Sequence, residues 1–328
     1  MQSYPLLFDP IFKERLWGGA RLRELLSKDI PSGHIGESWE ISGVEGDISK
    51  VSNGPYNGLL LTELIERFGL DLLGESVVDR FGKTFPILIK YLDARLDLSI
   101  QVHPSDELAQ ERHGSFGKNE MWYILEADES SRLIVGFNED CDKQTYLNYL
   151  KQNRLTELLA YHPVKPSDAF LIETGNIHAI GAGVVLAEIQ QTSDVTYRLY
   201  DFDREDAHGN KRALHTELAL EALDFKSRPS YRLERKALQA HSIESYALAN
   251  TAYFVVNELT LSGNELIDLQ SIDSFVIYMV MDGNAVIYDA DAPEWNVELH
   301  QGSTVLLPAC CKKIVIDTIS CRLLEVFV

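Results

Sequence analysis

In the segment LSIQVHP, Gln101 and His103 are separated by a single residue, and alternate side chains of a β-strand share one face. The spacing aims an amide oxygen and an imidazole nitrogen the same way, and both can ligate a divalent cation. Two further candidates follow: Glu120, which opens the otherwise apolar run EMWYIL, and His178, which comes after a glycine-containing turn in IETGNIHAIG. One amide, one carboxylate and two imidazoles suit zinc, and the same set admits manganese or iron. Singly, these residues carry little weight. An isolated histidine in a β-rich run is ordinarily a core or surface residue, and Glu120 could cap a strand or pair with Lys118.

Nearby side chains could handle protons and anions. Lys118 stands two residues before Glu120 and shares its face once the strand has begun, so its ammonium could stabilise an oxyanion or transfer a proton. Ser99 alternates with Gln101 and His103 and turns its hydroxyl to the same cavity. Lys90 interrupts the apolar run PILIKYL, where a buried ammonium without an anionic partner would be costly, and that mismatch favours a functional role. Asp194 and Arg198, in TSDVTYR, read on their own as a surface ion pair. Glu37 and Trp39, in GESWEIS, share a strand face, although a tryptophan is more often core than substrate platform. His34, His113, His162, His208, His215, His241 and His300 match no motif and read as structural or surface residues.

The elements that must position these groups are mostly strands. From Phe85 onward, FPILIKYL, LSIQVH, MWYILEA, RLIVGF, AFLIET and VVLAEIQQ are short β-rich runs broken by turn residues, the pattern of a barrel or sandwich. Leucines recur at helical spacing in LLTELIERFGLDLLG, KQTYLNYLKQNRLTELLAYH and ALHTELALEALDF, which predicts helices decorating that core. Helices and strands do not alternate one for one, so a doubly wound sheet is the weaker reading. After Pro229 the chain is β-rich again, and Asp282, Gly283 and Asn284 in MDGNAVIY read as a hairpin turn. The polar stretch RPSYRLERKALQAHSIESYALAN reads as a linker. The β runs beyond it contain no ligand spacing such as Q-x-H or H-x-H, so a metal is expected only in the first unit.

Composition narrows the function classes. A chain of 328 residues with 45% hydrophobic and 24% charged residues is long enough for two packed units. A formal net charge of −20 would repel a phosphate backbone and argues against nucleic-acid binding. The N-terminal MQSYPLLFDP lacks a basic region followed by an apolar run, and no apolar stretch reaches bilayer length, so a cytoplasmic location without membrane insertion is expected. Four cysteines without a paired clip read as reduced thiols.

Taken together, LFDPIFKERLWGGARL, GESWEIS, PILIKYLDARLDLSIQVHPSDE, GKNEMWYIL and ETGNIHAIGAGVVLAEIQQTSDVTYRLYDFDR resemble type I mannose-6-phosphate isomerase, also called phosphomannose isomerase, in its short bacterial form. The resemblance implies a metal-dependent aldose-ketose isomerase that interconverts mannose 6-phosphate and fructose 6-phosphate through an enediolate. It implies one zinc ion per chain on Gln101, His103, Glu120 and His178, with Lys118, Arg198, Asp194 and Glu188 as catalytic groups. Lys90, Ser99 and Arg204 are candidates for phosphate contacts, although Arg204 fits a solvent-facing position better. The implied fold is mainly β, with two cupin-like jelly-roll barrels and several accessory α-helices. Residues 1–235 would form the catalytic unit and residues 236–328 a metal-free C-terminal unit, in a monomer or weak homo-oligomer. The chain departs from the long family members at Gly117 and Ile180, where those proteins carry a histidine and a tyrosine. The competing readings are an isomerase for glucose 6-phosphate on the same fold and a sugar-binding cupin without activity.

Overall fold

The computed structural model describes residues 1–205, 208–238 and 243–328. Strands dominate it, and every strand pair among the described residues is antiparallel. A six-stranded sheet runs Ala169–Ile172, Glu120–Ala127, Val184–Gln191, Ile87–Ala94, Ile35–Ile41, Ile11–Gly19 in spatial order. A five-stranded sheet runs Tyr197–Tyr200, Ile100–Val102, His178–Ile180, Arg132–Phe137, Leu159–Pro163. The C-terminal part forms a seven-stranded sheet built on the long strands Val255–Asp268, Lys313–Phe327 and Val276–Asp289.

Alternation along the strands explains the layering. In the six-stranded sheet, Leu92, Trp122 and Leu186 face Leu133, Val135 and Ile180 of the five-stranded sheet and bury one core with them. The intervening residues Tyr91, Tyr123 and Ala187 point the opposite way and join Phe254, Phe275, Ile277 and Leu324 in a second core. The central sheet is thus apolar on both faces, and one face shares its layer with the polar groups described below. The sheets remain separate in their hydrogen bonding, so strand pairing closes neither unit into a continuous barrel among the described residues.

Three sequence expectations need correction. The segment MDGNAVIY lies inside the single strand Val276–Asp289, and its pairing with Lys313–Phe327 shifts register around Val280–Val286. Gly283 adopts φ +82°, and a Cβ there would lie 2.2 Å from the Ser320 carbonyl oxygen, so the glycine serves a bulge and close strand approach rather than a hairpin turn. The helix expected over residues 143–162 ends after Lys143–Lys151; Asn153 turns left-handed at φ +57°. Leu155, Leu158 and Leu159 then bury in the core of the five-stranded sheet as a short 3-10 turn and a strand. The supposed linker also contributes Lys236–Ala237 and Glu244–Asn250 as strands of the C-terminal sheet, and His241 lies outside the described residues.

Candidate active site

The four expected ligands converge from both facing sheets. His178 opens its strand in register with Gln101, and Glu120 opens its own strand in the six-stranded sheet. His103 follows the strand Ile100–Val102, where its carbonyl accepts from Gly175 N–H at 3.0 Å. His103 Nε2 is 3.3 Å from Glu120 Oε1, and His178 Nε2 is 3.9 Å from Glu120 Oε2. The Gln101 amide reaches His178 Nε2 at 3.2 Å. Each imidazole directs Nδ1 at a backbone carbonyl, His103 at Val195 (2.9 Å) and His178 at Asn176 (2.8 Å). An Nδ1–H donor there fixes the tautomer and leaves each Nε2 lone pair on the side of the carboxylate, where His178 accepts from the Gln101 amide nitrogen and His103 from the Lys118 ammonium at 3.3 Å.

Electrostatics fit the same arrangement. Burial, and then the Lys118 ammonium, push the His103 imidazole down to about 4; burial likewise lowers His178, so both rings are neutral donors near pH 7. Burial would raise the Glu120 carboxyl, but Lys118 and His103 outweigh it and hold the group well below the usual carboxylate range. Lys118 forms an ion pair with Glu120 Oε1, while Glu120 Oε2 is buried without a hydrogen-bond partner. A buried carboxylate oxygen left open beside two neutral imidazoles is a site that a divalent cation would satisfy, and His103, Glu120 and His178 have the mutual spacing for one.

Above this floor lies a cavity of about 520 Å³, lined by Gln101, Lys118 and His178 at its base. Lys90, Glu188, Ser99, Asp194 and Arg198 all line its walls. Lys90 donates to Glu188 Oε1 at 2.8 Å and to Gln190 Oε1 at 2.5 Å, so the sheet supplies the anionic partner that the sequence left open. Glu188 is also held by Trp122 Nε1 at 2.9 Å. Trp39 donates to Glu37 Oε2 at 2.7 Å, and the Lys13 and Lys90 ammonium groups lie 4.6 Å and 5.1 Å from its ring.

Arg198 holds the opposite wall. Its Nε lies 3.4 Å from Ser99 Oγ and its guanidinium donates to the Ala213 carbonyl at 3.1 Å; among the described residues no carboxylate is ion-paired with it. Asp194 is exposed at the rim and forms no ion pair with Arg198. Arg204 does not line the cavity: it is locked on Asp201 at 2.5 Å and on the Asp97 carbonyl at 2.5 Å. Arg212, absent from the sequence-based set, lines the cavity while Asp201 holds its guanidinium at 2.7 Å and 2.5 Å. Lys13 and Arg15 were also missed; their alternation with Trp17 in FKERLWGG is a strand signal that could have found them, and all three line the cavity. Arg212 sits in a loop and carries no such signal.

The sequence and the fold have counterparts among known proteins. A family model of the phosphomannose isomerase type I catalytic domain matches residues 6–135. The chain is 38% identical over 312 residues to mannose-6-phosphate isomerase ManA of Bacillus subtilis, with 94% of each chain covered. It is 37% identical over 312 residues to mannose-6-phosphate isomerase of Streptococcus mutans, covering 94% of this chain and 93% of that relative. The crystal structure of the mannose 6-phosphate isomerase from Bacillus subtilis matches over 100% of both chains with a TM-score of 0.90 and 32% identity. The apo mannose 6-phosphate isomerase from Salmonella typhimurium, at 18% identity and a TM-score of 0.77, covers 100% of this chain and 99% of its own and shares the fold.

Proposed function

The chain belongs to the type I phosphomannose isomerase family, and on that footing we propose that it interconverts mannose 6-phosphate and fructose 6-phosphate in the cavity described above. The observation that carries the proposal is the open, buried Glu120 Oε2 between two neutral imidazoles, directly beneath a polar cavity. Zinc held by Gln101, His103, Glu120 and His178 would supply Lewis-acid polarisation of the sugar oxygens when bound.

The reaction moves the proton on C2 to C1 and the hydroxyl proton of O2 to O1, by way of an enediolate. Lys118 stays charged, because Glu120 and Glu188 outweigh the burial that would lower it; its ammonium donates to the developing oxyanion. Glu188, fixed by Lys90 and Trp122, presents a carboxylate to the cavity for proton transfer. Arg198, whose guanidinium no carboxylate claims among the described residues, grips the enediolate or the phosphate, with Ser99 beside it. Asp194, exposed at the rim, takes part in ring opening. Lys90 remains a candidate phosphate contact at the wall. Arg204 is a weaker one because it faces away from the cavity.

The finer architecture belongs to the same proposal. The two facing sheets form a flattened cupin-like jelly roll and the C-terminal sheet a second one without metal, divided at residues 235 and 236. Support comes from sheet membership, since the strands before Lys236 and those from Lys236 onward form separate sheets. A monomer or weak homo-oligomer in the cytoplasm is the expected state; no helix among the described residues is long and apolar enough to cross a membrane. Coupled assays with mannose 6-phosphate and glucose 6-phosphate, run before and after chelation with elemental analysis, test the reading. Turnover of glucose 6-phosphate alone, or turnover that survives complete metal removal, would overturn it.

A further inference from the structure

The stretch that carries Lys118 and Glu120 is fastened from behind. Asn119 lies between them and points the other way along an extended chain. Gln191 Oε1 accepts from the Asn119 backbone N–H at 2.9 Å and from its Nδ2 at 2.7 Å, and Asn119 Oδ1 accepts from Thr174 N–H at 3.1 Å. Gly117 N–H donates to Asp106 Oδ1 at 2.7 Å, and Gln191 Nε2 donates to the same oxygen at 2.9 Å. The other oxygen, Asp106 Oδ2, accepts from Tyr253 Oη at 2.6 Å. A Cβ at position 117 would lie 2.7 Å from the Asp106 nitrogen, so the glycine lets the stretch seat against the helix Asp106–His113.

Tyr253 belongs to the C-terminal part of the chain, just before the strand Val255–Asp268, and packs on the core shared with the central sheet. Among the described residues, none beyond Arg212 lines the cavity. The Asp106 carboxylate therefore links that distant core to the backbone bearing Lys118 and Glu120, and it stands three residues from His103. We infer that Tyr253 and Asp106 are positioning residues for the isomerisation: they hold the Lys118–Glu120 stretch at its working distance from the imidazoles, and through them the C-terminal unit contributes to turnover without touching substrate. The inference rests on the isomerase reading given above.

Tyr253→Phe deletes one hydrogen bond and keeps the ring in the core; Asp106→Asn keeps shape and alters the hub. Since displacement of a catalytic group by about 1 Å can cost about a hundredfold, kcat per folded, metal-loaded molecule is expected to fall about fivefold in Tyr253→Phe and about thirtyfold in Asp106→Asn, with KM within about twofold of wild type. The double variant should lose less than the product of the two, because both act through one carboxylate. Melting temperature and metal content are measured on the same samples. A kcat for Tyr253→Phe equal to that of an active wild type would overturn the positioning role alone. A loss wholly matched by a smaller folded or metal-loaded fraction would do the same, and this variant remains informative if Asp106→Asn does not fold. An inactive wild type would overturn the isomerase reading and this inference with it.

Discussion

Gln101 is paired in register with His178 on one side and Arg198 on the other. The candidate ligand therefore stands one strand spacing, about 5 Å, from each. The candidate metal position and the cationic wall thus lie on one rung across adjacent strands of a small sheet, and variants on neighbouring strands should separate metal binding from chemistry.

His103→Ala and His178→Ala should each lose bound metal and isomerase activity while keeping the fold, because the cores in both facing sheets are apolar and continuous without the site. Elemental analysis after dialysis, paired with circular dichroism, checks this. Full metal content in either variant would remove that histidine from the ligand set.

Lys118→Ala and Arg198→Ala should retain metal. Removing one well-placed donor to an oxyanion costs about 3 kcal/mol, a hundredfold or more in kcat. If Arg198 chiefly holds phosphate, its variant raises KM instead. Near-wild-type constants in both would contradict the roles given to them.

Arg212→Ala should raise KM for the sugar phosphate about tenfold, the scale of one charge-assisted hydrogen bond, whereas Arg204→Ala should leave KM within about twofold. The contrast follows from their places: both grip Asp201, yet only Arg212 lines the cavity. Equal effects would mean that the Asp201 cluster acts as a unit.

Acid should weaken the metal-free protein in a defined window. His103 is held at about 4 by burial and by Lys118, against an ordinary value of 6.5. Between those values the unfolded chain binds a proton that the folded one excludes, so stability falls as pH drops through that range, by up to about 3 kcal/mol. Glu120, depressed well below its ordinary value, adds a loss at still lower pH as its carboxylate is protonated. Urea unfolding of chelated protein at pH 7 and pH 5 measures the slope. It should flatten in His103→Gln; an unchanged slope would place its origin elsewhere.

Gly283→Ala should destabilise by about 1–3 kcal/mol, because φ is positive there, while leaving metal content and KM alone. Denaturant titration with parallel kinetics checks this, and an unchanged midpoint would discredit the bulge.

The convergence of Gln101 and His103 was legible because strand alternation is local and announces a shared face within three residues, whereas Glu120 and His178 were joined to them only by the family resemblance. Strand positions followed for the same reason, from β-rich runs between turn residues. What was hidden depends on distance. Lys90 reads as an unpaired ammonium because its partner Glu188 is 98 residues away, and nothing in RPSYRLERKALQAHSIESYALAN tells that its end pairs as a strand. Arg204 and Arg212 are both arginines in a polar segment, and only the loop path decides which one lines the cavity. Gly283 satisfies the composition of a turn and of a bulge equally, and the approach of Ser320 selects the bulge.

The strand Ile87–Ala94 is a partition with a different tenant on each side, Lys90 and Leu92 toward the cavity side and Tyr91 toward the C-terminal core. Such a wall is mechanically stiff, since sliding it would unpack two interiors at once. The same sheet ends two strands away at Ile11–Gly19, an edge strand whose register shifts on both sides of Glu14 and whose Lys13, Arg15 and Trp17 line the same cavity. Compliance is therefore concentrated on one flank, and a sugar passing from ring to open chain would find its slack there rather than at the back of the cavity.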